Sequence, residues 1–151
     1  MKQDKSERFD LITKRILFSH AHMIERYMQV FNRYKNFKNR IKDENLKNAL
    51  NVFDQFFYDE TGKFNWENIS QLLPADIENS IKKEYNTLND KEIRLCCLLL
   101  LDLSVSDIAE ILQYTQKSVH TITYNIKQKT GIKDIKIAIE NVWLRENILK
   151  S

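Results

Sequence analysis

An all-α protein is what this sequence predicts, and three observations carry the expectation. Two glycines and one proline in 151 residues are too few to supply the turns of a sheet-rich fold. Apolar residues recur three or four apart over most of the chain, the period of a helix face and not of a strand. Helix-opening signatures punctuate the second half, with Asn89 three residues before Glu92 and Ser104 three before Asp107. A chain of this length buries one sizeable core, or a small core with a helical extension.

The first element runs from about Ser6 to Lys38, where Phe9, Ile12, Ile16, Met23, Tyr27, Phe31 (or Val30) and Tyr34 form one stripe. A strict heptad fails near Ser19 and His20, so helix packing or an imperfect coiled coil is expected. His20 and His22 lie two apart, on different faces of a helix and with no third ligand nearby, which argues against a metal site. The basic run Lys35, Lys38, Arg40 and Lys42 reads as a solvated helix end before it reads as a nucleic-acid contact.

A second helix, about Asp43 to Tyr58, carries Leu46, Ala49, Leu50, Phe53, Phe56 and Phe57 on one face, which should make a core against the first helix in an antiparallel hairpin. Residues 59 to 63, DETGK, break it; they resemble part of a calcium loop but lack the remaining ligand positions. Trp66, Ile69, Leu72 and Leu73 mark a short helix ended by Pro74, and Ile77, Ile81 and Tyr85 another. Residues 1–75 are therefore expected to be a helical hairpin or coiled-coil-like region serving dimerisation or interaction, with 76–151 a separate domain.

That second domain opens with the Asn89–Glu92 capping pair and a helix of Ile93, Leu95, Cys96, Leu99 and Leu100, apolar nearly all round and so buried on several sides. Ser104 and Asp107 open a helix of two turns with Ile108, Ala109, Ile111 and Leu112. After Gln113, Tyr114 and Thr115 comes a third helix, with Thr115 as N-cap and Gly131 as its left-handed stop. Its inner stripe is Val119, Ile122 and Ile126. Lys117, His120, Thr121, Tyr124, Lys127 and Gln128 on the opposite face are the candidate DNA contacts, able to reach phosphates or base edges. A last helix, Asp134 to about Asn147, carries Ile135, Ala138, Ile139 and Val142, with Trp143 as core or as dimer contact.

Charge distribution narrows the partners. The net charge is only +3, but residues 1 to 47 carry 12 basic and 6 acidic groups whereas 48 to 87 carry 3 and 7, so the middle is unsuited to a polyanion. Between Glu110 and Asp134 there is no acidic residue, while Lys117, Lys127, Lys129 and Lys133 fall in or at the edge of that window. The two cysteines, Cys96 and Cys97, are adjacent on a helix and poorly placed to bridge each other, which fits a reducing cytoplasm. The polar start MKQDKSERFD is no signal peptide, and the longest apolar run, Leu95 to Leu101, is too short for a bilayer. No phosphate-cradling glycine loop, metal cluster or nucleophile with a nearby His and acid suggests an enzyme, and no cofactor is expected.

Leu88 to Ile132 resembles, without a gap, the LuxR/GerE-type helix-turn-helix of bacterial transcription regulators, a wingless four-helix unit whose pattern runs L-T-x-R-E, then S-x-x-E-I-A-x-x-L, then S-x-x-T-V and K-L-G-V. Here those positions are Leu88, Asn89, Lys91, Glu92; Ser104, Asp107, Ile108, Ala109, Leu112; Thr115, Ser118, Val119; and Lys129, Thr130, Gly131, Ile132. The chain looks closest to the form that follows tetratricopeptide-repeat and helical-linker regions. The resemblance implies a DNA-binding transcription regulator whose third helix lies in the major groove, with His120, Thr121 and Tyr124 toward bases or nearby phosphates and Lys117 and Ser118 near backbone. It also implies a homodimer, often paired through the last helix.

This sequence departs from the pattern at Asp102 and Gln113, where glycine is frequent, at Thr130, where leucine is usual, and at His120, where lysine is common. A histidine there makes affinity modest and pH-dependent. The competing expectation is a helical protein-interaction module, with a partner protein docked on the N-terminal helices and the helix-turn-helix kept only as scaffold.

Overall fold

The computed structural model describes residues 2–147, without the side chains of 2–7 and 9; Phe9, first in the expected stripe, lies outside the described side chains. The described residues form eight helices: α1 (Lys2–Arg40), α2 (Glu44–Phe57), α3 (Trp66–Ser70), α4 (Ile77–Glu84), α5 (Asp90–Leu100), α6 (Val105–Leu112), α7 (Gln116–Thr130) and α8 (Ile135–Asn147). The fold is all-α, as the composition implied, with one isolated β-bridge between Tyr58 and Phe64. No described helix is long and apolar enough to cross a membrane. Two compact units result: His22–Leu72 form one, and the chain from Leu73 onward joins residues up to Ala21 in the other. The sequence had suggested a single N-terminal region over 1–75.

The long helix buries a different line from the one expected. Thr13, Leu17, Ala21, Ile24, Met28 and Phe31 are buried, while Ile12, Met23 and Val30 are exposed and Ile16, Tyr27 and Tyr34 half-buried. Both sets step by three and four, so both satisfy helical periodicity; burial by neighbouring elements selects between adjacent lines.

In the unit His22–Leu72, Asp43 accepts bonds from the Asn45 and Leu46 amides and so starts α2 directly after the turn. The hairpin is antiparallel: Lys38 pairs with Asp54, the Tyr34 hydroxyl donates to the Leu50 carbonyl at 2.9 Å and to Asp54, and Tyr27 meets Phe56. Burial pushes the Asp54 carboxyl up, but the hydrogen bonds from Lys38 and Tyr34 outweigh it and hold the group below its ordinary value. Phe31, Phe57 and Phe64 form the aromatic centre, with ring centroids 4.9 to 5.2 Å from Phe31. Only Phe57 of the six apolar residues expected to make the α2 core is buried; Leu46, Phe53 and Phe56 are exposed, because the hairpin alone offers one neighbouring helix and its apolar arc is wider than that.

Loop residues 59–63 fold on themselves. The Asp59 carboxylate accepts from the Thr61 and Lys63 amides at 2.9 and 3.0 Å, and Gly62 takes φ 81°. This is turn chemistry, with the Asp59 carboxylate engaged by the backbone of its own loop. Asn65 caps α3, and Asn68 ties α3 to the Phe56 carbonyl at 2.8 Å and to the Tyr27 hydroxyl at 2.9 Å.

The second unit is built around α5, which packs on α4, α6, α7 and α8. Burial is nearly all round, from Glu92 and Ile93 through Leu95, Cys96, Cys97, Leu98 and Leu100. The expected capping box is present: the Asn89 side chain accepts from the Glu92 amide and Glu92 Oε1 from the Asn89 amide, both at 2.9 Å. Burial pushes the Cys96 thiol up to about 12 and the Cys97 thiol well above its ordinary value, so both stay protonated. On α8, Ile135, Ile139, Val142 and Trp143 are buried, which makes Trp143 part of this core.

Candidate nucleic-acid interface

Two short helices joined by a tight turn present the candidate surface. Ser104 caps α6 by accepting from the Asp107 amide at 3.1 Å. Gln113 ends it at φ 58°, and the Tyr114 amide reaches back to the Ala109 carbonyl at 2.9 Å. Two residues later Thr115 caps α7 through the Ser118 amide at 3.1 Å. Lys91 stands over the Tyr114 ring, 5.6 Å from its centroid, bracing the turn against α5.

The inner side of α7 is fixed by Val119 and Ile126, which are 1% and 0% exposed. Its outer side gathers most of the expected set. Lys117, His120, Thr121, Tyr124, Lys127 and Gln128 are all exposed, at steps of three and four, so they share one face about three turns long. Tyr124 lies at the middle of that face. Ser118 is the exception: it is half-buried, and its hydroxyl accepts from Thr115 at 3.0 Å, so it serves the cap. The Thr121 hydroxyl donates to the Lys117 carbonyl at 3.1 Å, which leaves its oxygen to accept, and its methyl to touch, whatever lies against the face.

Electrostatics separate the lysines. Lys129, itself exposed, pairs at 2.7 Å with the buried Glu92, so its charge is offset by that carboxylate. Lys117 and Lys127 keep theirs toward solvent. Sequence reasoning left Lys133 and Lys136 off the candidate list, yet both line a shallow hollow of about 280 Å³ with Lys127, beside the start of α8. Lys136 is offset by Asp102 at 3.3 Å, and Asp134 lines the same hollow, so the three lysines there stand against two carboxylates. Lys133 was visible in the acid-free window; its approach to Lys127 depends on the turn after Gly131.

Gly131 sets that turn. Its φ is 75°, its amide bonds the Lys127 carbonyl at 2.9 Å, and a Cβ added there would meet nothing within 4 Å. The cost of Gly131→Ala is therefore one of backbone conformation alone. We expect about 1 kcal/mol lower stability in urea unfolding, with the helical signal intact.

Among the described residues no group of three or more His, Cys, Asp or Glu side chains could hold a metal ion. No protein-family model, curated protein or solved structure matches the chain, which leaves its own residues and their geometry to carry the function.

Proposed function

We propose that the protein is a sequence-specific regulator of transcription that binds double-stranded DNA through α7, acting as a homodimer on two half-sites. The observation that carries this reading is the open outer side of α7: six polar or aromatic side chains of the right reach, two of them uncommitted lysines, with no carboxylate between Glu110 and Asp134. A major groove accepts a helix presenting that face. Tyr124 and Thr121 supply contacts to bases or the thymine methyl, Gln128 and His120 supply donors and acceptors, and Lys117 and Lys127 meet phosphates on either side.

The resemblance to LuxR/GerE-type regulators gains support from the backbone. Asp102 and Gln113, which stand where that family commonly has glycine, take φ 60° and 58°, the conformation for which glycine is the easiest residue. The caps at Asn89, Ser104 and Thr115 fall at the three motif positions that open helices.

Fluorescence anisotropy with a labelled random-sequence duplex tests the reading. Binding should appear at low salt and weaken as salt rises, with a log–log slope of about −2 to −4 from the few cations available. Selection from a random DNA library should then enrich one motif. Absence of binding at about 50 mM salt and 100 µM protein would exclude the proposal, since nonspecific affinity alone should register under those conditions.

A further inference from the structure

The last helix has little to offer a second copy, because Ile135, Ile139, Val142 and Trp143 are spent inside the protomer and Ile137 is its one large exposed apolar side chain among the described residues. The unit His22–Leu72 is different. Met23, Val30 and Phe37 stand seven residues apart on α1 and are 39%, 57% and 55% exposed. On α2, Leu46, Val52, Phe53 and Phe56 are 46% to 69% exposed. The two rows adjoin, since Tyr34 meets Phe53 with centroids 6.0 Å apart, Tyr27 meets Phe56 at 6.4 Å, and both tyrosines neighbour Val30 along the helix. Together the exposed side chains offer roughly 700 Å² of apolar surface, above the usual largest patch of a monomer. Shared across a two-fold axis, about 1,400 Å² would be covered, within the range of stable specific interfaces.

We propose that this surface is the dimer interface, occupied by a second copy of the same chain, with α1 of one copy laid against α2 of the other. The spacing fits a helical occupant: seven-residue steps on α1, and steps of three, four and three through Leu46, Ala49, Phe53 and Phe56 on α2, suit helices crossing at a shallow angle. Charge selects the pairing. Arg26, Arg33 and Arg40 are exposed and also seven apart, beside the α1 row. Stacking α1 on its counterpart would align these arginines with their equals; α2 instead presents the exposed neutral residues Asn45, Asn48 and Gln55 beside its row. The inference rests on the homodimer of the proposed function, for which it names the contact surface, and it is tested with no DNA present, so that its failure leaves DNA binding by α7 to be judged separately.

Sedimentation velocity on the full chain should show a dimer at micromolar concentration. Val30→Glu and Phe53→Glu, each at an exposed position, should raise the dissociation constant about 100-fold or more without loss of helical signal. Val30→Ser, a milder change, should raise it about tenfold. Ile137→Glu on α8 should leave the dimer intact. Arg33→Glu should leave the constant within about threefold and show no preference for pairing with the parent chain, whereas α1-on-α1 stacking would favour the mixed dimer, in which the introduced carboxylate faces Arg33 of the parent copy. A monomer at all concentrations, a dimer indifferent to both glutamate variants, one broken by Ile137→Glu, a mixed dimer of Arg33→Glu with the parent chain favoured over either homodimer, or a monomer that sediments with anionic vesicles would each overturn the assignment.

Discussion

Glu92→Ala is expected to lower the unfolding free energy by about 2 to 3 kcal/mol, read as a lower urea midpoint with an unchanged slope. One carboxylate oxygen serves two elements: Glu92 Oε1 accepts from the Asn89 amide at 2.9 Å and from Lys129 Nζ at 2.7 Å. Alanine abolishes half of the capping box, worth about 1 kcal/mol, and strands the lysine. Lys129 keeps 41% of its side-chain surface, so it can turn back to water, which is why the expected loss stays below that of a fully buried pair. Glu92→Gln retains an acceptor for the Asn89 amide and should cost about half as much. The bond also joins the first turn of α5 to the last turn of α7.

The second large effect separates the lysines of α7. Lys117→Ala combined with Lys127→Ala should reduce the salt slope of DNA binding by about two for each protomer engaged and weaken affinity at moderate salt by about 10- to 100-fold, across all sequences alike. Lys129→Ala should leave the slope unchanged and appear instead as lost stability, because its partner is Glu92 and not a phosphate. Equal slopes for the double variant and the parent would remove these lysines from the interface. If Lys129→Ala alone flattened the slope, the ion pair with Glu92 would have to open on binding.

Much of this architecture was legible beforehand because helix ends are written locally. Asn89, Ser104, Thr115 and Gly131 each act within four residues, and the structure places all four where the sequence had them. The candidate face was legible for a similar reason: once Val119 and Ile126 point inward, helical geometry turns Lys117, His120, Thr121, Tyr124, Lys127 and Gln128 outward. What was not legible depends on distant partners. The capture of Lys129 by Glu92 spans 37 positions, and no local rule sets it apart from Lys127. On α1 the sequence offered two neighbouring apolar lines, and the choice of Leu17, Ile24 and Met28 over Ile12 and Met23 rests on what packs there. The same applies to α2, where Phe53 and Phe56 looked like core and remain open. Ser118 is half-buried and its hydroxyl accepts from Thr115 three residues earlier, an engagement that belongs to the cap of α7.

The sealed thiols of α5 have a practical use. Cys96 and Cys97 are both inaccessible and held in the unreactive protonated form, so maleimide reagents should pass them by in the native state. A spin label or fluorophore could then be attached at Asn125→Cys, exposed on α7 but outside the proposed contact set, reporting on α7 alone when a duplex is added.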